Sequence, residues 1–589
     1  ACVYMHSAPS MLAKAVNLQE HNVTLLAPVL DLAAGNKKVM AEIYKIGLQL
    51  GHTKEDCSSA IEEATVSMRA MREKGAAHGK DGRRQNKVDL KNSDKPVFVV
   101  FARGYCAKDS ILNQNIENML AERGYQVLIQ KQLHGMLEES DLEEQHDLYW
   151  SFATRSLLSA KAVAATPNLY AVYLTYHGCG PDTMISHWVE NEMRDKPYLH
   201  IEVDEHSSNV GIITRLDAFI NSVLSHRKKS TTTAKSSVAT TQSANGFSEG
   251  IGKLDQAYPV VLPYMYPYSK LLAAYLRGNE YNVIELPPTS SESLKKGRSY
   301  MRGKEYFSLS ALLGNIALEA EKHDKLQLLY PQNNGAEADG LYAYFVYRKL
   351  DDKLSVISPS LDKLALQEND ADIVFRILLA GDIALNAGSD ALLSKIQQAF
   401  QLGIPDEDTL VRWAGSCRDS GDFLLVLGEP GCIFDSFFKK TILQRMENDN
   451  IKLRFAPLSE MLLLEWGKID GFTSFNSMKE LMARVSDAMG KCSVFSESLE
   501  VLQQKNRDFY ISSGGYAEYR HGKVDFIHSG LCGIISAASQ HENTESILEL
   551  ASQQTKNPML RILFDGTDDP VNRLKIDTFL HEVKKNIRK

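Results

Sequence analysis

Short apolar runs of strand length, each followed by a stretch of helix length, constrain this 589-residue chain more than any other feature. PVFVVFA (96–102), YQVLI (125–129), LYAVYLT (169–175) and YLHIEV (198–203) are rich in β-branched and aromatic residues. Runs with so little polar alternation suit strands covered on both faces. The intervening stretches 109–123, 146–165 and 184–193 have helix length, and 211–225 closes the series. Strands that alternate with helices imply crossover connections and a parallel sheet.

The pattern recurs. YPVVL (258–262), NVIEL (282–286) and KLQLL (325–329) read as strands, with a helical stretch over 361–402. DFLLVL (422–427) and IKLRF (451–455) begin another set, which ends in a basic helix. The expected fold is α/β, with several Rossmann- or flavodoxin-like parallel-sheet units behind an N-terminal helical segment. Residues 1–92 form that segment. VMAEIYKIGLQL (39–50) has helical spacing, Thr53 caps a helix running towards Met71, and glycine-containing 75–92 reads as a loop. The α/β units are expected over 93–225, 256–405 and 406–589. Residues 226–255, rich in Ser, Thr, Ala, Lys and Gly, read as a linker, having little to bury.

Composition removes several function classes. A net charge of −8 offers no overall basic field for phosphates, which argues against nucleic-acid binding. No run reaches the roughly 18 apolar residues of a membrane span, and no leader pattern opens the chain, so a cytoplasmic location is expected. Because it begins at Ala1, the chain is expected to be processed or part of a longer polypeptide. Eight cysteines without a CxxC pair argue against a disulfide framework and a zinc finger. There is no GxxxxGK[ST] loop for an ATPase and no GxSxG elbow for a hydrolase.

The turn TYHGCGPDT (175–183) carries the sharpest chemistry. It places Cys179 between two glycines, just past an expected strand, where open parallel sheets gather ligands. Glycines beside a cysteine let the backbone approach an iron–sulfur cluster. A small turn residue that only packs satisfies the same pattern. An internal echo adds Cys532. TYHGCG, DKPYLHIEVDE and TRLDAF (214–219) find counterparts in HSGLCG (528–533), KNPMLRILFDG and NRLKIDTF. The spacing from Cys179 to Asp204 is 25 residues, against 33 from Cys532 to Asp565. Weaker candidates are Asp204-Glu-His206, Gly428-Glu-Pro-Gly-Cys432 and His177, each also readable as an ordinary turn. For Cys57 and Cys106 packing suffices.

Together these segments resemble the activase-related, DUF2229-type region of proteins tied to 2-hydroxyacyl-CoA dehydratases and benzoyl-CoA reductases. The resemblance rests on PVFVVFARGY (96–105), on the block 147–183 ending in HGCGPDT, and on KPYLHIEVDEHSSNVGIITRLDAF (196–219). ACVYMHSAPSML (1–12), LLVLGEPGCIFDSF (424–437) and RFAPLSEML (454–462) extend it over most of the chain. It implies a cysteine-held [4Fe-4S] cluster and a low-potential electron relay in anaerobic metabolism. It also implies two partners: sugar-kinase-like ATPase domains, in the same longer chain or separate, and a dehydratase-like protein. Cys179, with Cys2 and Cys532, would be the ligands.

Two departures bear on that ligand set. Where the family has Gly-Lys-Glu-Cys-Leu-Pro, this chain has Gly303-Lys-Glu-Tyr-Phe-Ser308; where the family has Gly-Pro-Cys-Arg, the nearest stretch, 331–344, has no cysteine. Two readings follow. One is an iron–sulfur accessory of an ATP-dependent CoA-ester dehydratase or reductase activation system. The other is a cluster-free interaction or scaffold module that keeps the family fold.

Overall fold

A computed structural model describes residues 3–18, 20–28, 30, 35–85, 95–107, 109–133, 150–176, 178–204, 206–230, 247–248, 254–333, 335, 337–350, 353–417, 421–448, 451–508, 515–545, 548 and 557–587. The chain divides into two units, residues 8–243 and residues 1–7 with 244–589.

Residues 8–243 contain one four-stranded sheet: β1 (Val97–Phe101), β2 (Gln126–Ile129), β3 (Leu169–Tyr176) and β4 (Leu199–Val203). Its order is β2-β1-β3-β4, and every pair is parallel. Register runs from Val97 opposite Leu169 to Phe101 opposite Tyr173. β1 is buried along its whole length and β3 up to its last residue, as expected for central strands covered on both faces. Phe98, Val100, Tyr170, Val172 and Leu174 pack with Leu216 and Val223 of the helix Asn209–Ser230.

The second unit holds two more sheets. One comprises β5 (Phe247–Ser248), β6 (Val260–Leu262), β7 (Val283–Glu285), β8 (Leu326–Leu329) and β9 (Leu354–Ile357), in the order β5-β9-β8-β6-β7. The other comprises β10 (Phe423–Gly428), β11 (Lys452–Phe455), β12 (Leu531–Ser539) and β13 (Met559–Phe564), in the order β11-β10-β12-β13. All pairs are again parallel. The fold is therefore α/β with Rossmann/flavodoxin-like units. Apart from β5, the three sheets share one topology, in which the first strand lies between the second and third and the fourth lies outside.

One hydrophobic core joins the β10–β13 sheet to the helices around it, while Val260, Leu262, Leu329 and Ile357 of the preceding sheet belong to a separate cluster. The first core joins Tyr268 and Phe375 to Phe423, Trp466 and Phe564. The helix Glu368–Ala387 crosses it and carries two buried polar anchors. Asn386 pairs both ways with the Phe455 backbone, at 3.2 and 3.0 Å. Asp382 accepts from the Leu458 and Ser459 amides, each at 3.0 Å, and from Tyr268 Oη at 2.7 Å.

Three expectations need correction. The helix beginning at Lys54 continues to Gln85, although 75–92 reads as a loop. Its glycines cost roughly 1 kcal/mol each, but the stretch has no proline and carries the helix formers Ala, Lys and Arg. The β9 strand went unforeseen. Finally, Leu531–Ser539 is a strand, where the echo places a Cys-Gly turn followed by a helix. Ala and Ser favour strands weakly, yet this one is central, between β10 and β13, and packing there overrides propensity.

Candidate functional site

Cys179 lies three residues beyond the end of β3. Gly178, at φ 69°, turns the chain so that Cys179 caps the helix Gly180–Glu192. Its Sγ accepts from the Asp182 amide at 3.4 Å and from Arg103 Nη2 at 2.6 Å. Arg103 follows β1 and is 7% exposed. It also donates to Asp182 Oδ1 at 3.3 Å and lies over the Phe152 ring at 4.1 Å. Burial pushes the Asp182 carboxyl up, and the Arg103 guanidinium opposes that shift. The HGCGPD turn is thus a packed cap around a buried Arg103–Asp182 pair. Cys106 lies inside the same sheet's core, and burial raises its thiol.

The other expected site residues are scattered. Cys2, His177 and Glu205 lie outside the described residues. Asp204 Oδ1 accepts from the His206 amide and the Ser207 hydroxyl, so that segment is a local turn. Cys57 packs against Gly47, where an added Cβ would meet its Sγ at 2.5 Å. Cys432 is fully buried. Cys532 is the second residue of β12, at the N-terminal edge of its sheet, and its Sγ donates to Gly530 O at 3.6 Å. Its expected position just past a strand is thereby corrected. Glu542 is the residue that stands three beyond β12, as Cys179 stands three beyond β3. Glu429 follows β10 much as Arg103 follows β1. The echo is present in the topology, but its Cys-Gly pairs are out of register.

The second unit contains a cavity of about 130 Å³. It lies where the C-terminal ends of β6, β8 and β10 deliver Tyr264, Tyr330 and Glu429. Such edges are where parallel sheets collect ligands. Both departing stretches reach its wall, one through Ser308 and the other through Asn333, Asp339 and Tyr342. Gly428, at φ 154°, makes the bend possible; a Cβ there would meet Ala537 O at 2.0 Å. Glu429 then enters a ring of hydroxyls. Ser308 Oγ donates to Glu429 Oε1, Tyr342 Oη donates to the same oxygen at 3.3 Å, and the Ser539 amide donates to Oε2 at 2.8 Å. Ser308 Oγ also lies 2.9 Å from Tyr342 Oη and 3.1 Å from Ser539 Oγ.

The wall is acidic, and burial raises its carboxyls. Burial lifts the Glu429 carboxyl, and its hydroxyl partners pull it back. Asp339 is pushed up to about 8, first by burial and then by Glu429 and Glu542. Asp435 is raised by burial and restrained by Thr289. Burial also lifts Tyr330, Tyr342 and Tyr516 well above the usual phenol range. No Lys, Arg, His or Cys is among the residues lining this cavity. Sequence reasoning singled out the Gly428–Cys432 turn that brings Glu429 here. It passed over Asp339 and Ser308, whose signal was the loss of cysteine from their stretches.

A [4Fe-4S] cluster needs thiolate-dominated ligation. The cavity wall includes no cysteine, so it does not fit that group. Among the described residues no group of three or more His, Cys, Asp or Glu is placed to hold a metal ion.

Residues 1–133 match the family model described as CoA enzyme activase uncharacterised domain (DUF2229). The activase-related resemblance is borne out on that stretch, which ends before both the HGCGPD turn and the cavity. No curated protein matches the chain.

Proposed function

We propose that this chain, activase-related over its first 133 residues, is a cluster-free module of a CoA-enzyme activation system that binds a small organic ligand in its second unit. One observation carries the reading. The two stretches where the resemblance would place cysteines contribute hydroxyl, amide and carboxyl groups to a single cavity. That chemistry suits hydrogen bonding and proton holding, and it is foreign to cluster ligation. Its partners would be sugar-kinase-like ATPase domains and a dehydratase-like protein.

A second reading keeps the iron–sulfur relay, with Cys179, Cys2 and Cys532 as ligands. The position of Cys179 favours it: a half-buried residue at a helix N-terminus with its sulfur beside a guanidinium, surroundings that suit a thiolate. Purification and reconstitution without oxygen separate the two. The cluster-free module stays colourless near 400 nm and holds background iron and sulfide. About four of each per chain would overturn it. If iron is held, a Cys179→Ser variant that retains it all removes Cys179 from the ligand set.

A further inference from the structure

The cavity's wall is selective in charge. Three carboxyls, Asp339, Glu429 and Asp435, line it, together with four tyrosines. No cationic side chain is among the lining residues, so a phosphate or carboxylate ligand would meet repulsion without compensation. Arg520, a buried cation of the same unit, is engaged by Glu542 and Glu545 at 3.1 and 2.9 Å. One oxygen, Asp339 Oδ1, is shielded from solvent and accepts no hydrogen bond. Behind it, Glu337 Oε2 is in the same condition. A buried polar atom without a partner is costly, and a ligand that donates to it recovers that cost. A metal ion is the less suitable occupant, since no group of three or more ligating His, Cys, Asp or Glu side chains is gathered among the described residues. An organic cation fits better, because tyrosines add ring faces that attract ammonium groups.

We propose that this cavity binds a small organic ammonium, held by Asp339 and the surrounding tyrosines. The inference rests on the ligand-binding reading above and names the ligand's class. Comparable cavities admit a molecule about the size of benzene, so the occupant's buried head has roughly six or seven heavy atoms. The ammonium pairs with the ionised form of Asp339. The groups facing this carboxyl include Glu429 beyond β10, Glu542 beyond β12, Glu337, the phenols of Tyr330, Tyr342 and Tyr516, the Asn333 side chain and the Gly340 amide. Glu429 and Glu542 make its ionisation harder; the amide groups make it easier. Proton release therefore accompanies binding, and affinity rises with pH until Asp339 is ionised in the free protein.

The probes are choline and its uncharged carbon isostere 3,3-dimethylbutan-1-ol, titrated calorimetrically into the full chain. Choline is expected to bind at least tenfold more tightly than the isostere at pH 8.5. It is expected to lose on the order of tenfold in affinity at pH 6.5, below the Asp339 value of about 8, while the isostere changes little. Asp339→Asn should abolish the charge preference and its pH dependence. Tyr330→Leu, which keeps that carboxyl, should weaken choline more than the isostere. Equal binding of both probes overturns the ammonium assignment and leaves the ligand-binding reading standing. Binding of neither at millimolar concentration overturns both. Choline binding that survives both substitutions unchanged places it outside the cavity and overturns the proposal.

Discussion

Cys179 shows how one side chain serves two unrelated chemistries. Its sulfur accepts from a helix amide and from Arg103, which is enough to account for its place between two glycines. If capping is its main contribution, Cys179→Ser keeps an acceptor and stays within a few tenths of a kcal/mol of the parent. Cys179→Ala loses the acceptor and is expected to cost about 1 kcal/mol. Urea titration followed by circular dichroism measures both; equal stability of the two variants would contradict the capping role. The sequence made the turn visible, because Gly-Cys-Gly-Pro at a strand end is a local pattern. It could not show Arg103, which arrives from a strand more than seventy positions upstream.

At the scale of elements, the β10 bend decides where the acid sits. Gly428 has a backbone conformation that other residues rarely adopt, and the neighbouring carbonyl leaves no room for a Cβ. Gly428→Ala is expected to destabilise the chain by more than about 1 kcal/mol and to weaken ligand binding through a displaced Glu429. Differential scanning fluorimetry and the choline titration check these separately; an unshifted midpoint would mean that the bend relaxes freely. Helix packing positions Ser308 in a similar way. The helices Ser291–Arg298 and Phe307–Ala320 meet at Gly297 and Gly314, where added Cβ atoms would lie 1.9 and 1.8 Å from the facing carbonyls of Ser310 and Ser293. Strands β1, β3, β6 and β10 were readable because an apolar run bounded by polar residues has few alternatives. β12 was not, since LCGIISAAS owes its strand state to neighbours distant in the chain.

For the molecule as a whole, buried acids tie stability to pH. The folded chain holds the Asp339 proton more tightly than the unfolded chain, up to a value of about 8. Raising the pH from about 4 through 8 therefore draws stability from the folded state. Asp339→Asn removes that loss. The variant should match the parent near pH 4 and exceed it at pH 8, as measured by denaturant unfolding at both values. A constant difference between them would show that this carboxyl does not titrate as described. The three sheets repeat one topology, and the cavity lies at strand ends of the last two.

What the sequence determined unaided was the kind of element and the class of sheet. Alternating apolar runs and helix-length stretches permit few arrangements other than parallel α/β layers, and that physics is local. The site was decided by tertiary structure. Ser308, Asp339 and Glu429 lie far apart in the chain, and the two carboxyls among them change character because burial withdraws water from them. No spacing in a linear sequence carries that information, since desolvation depends on what folds around a group.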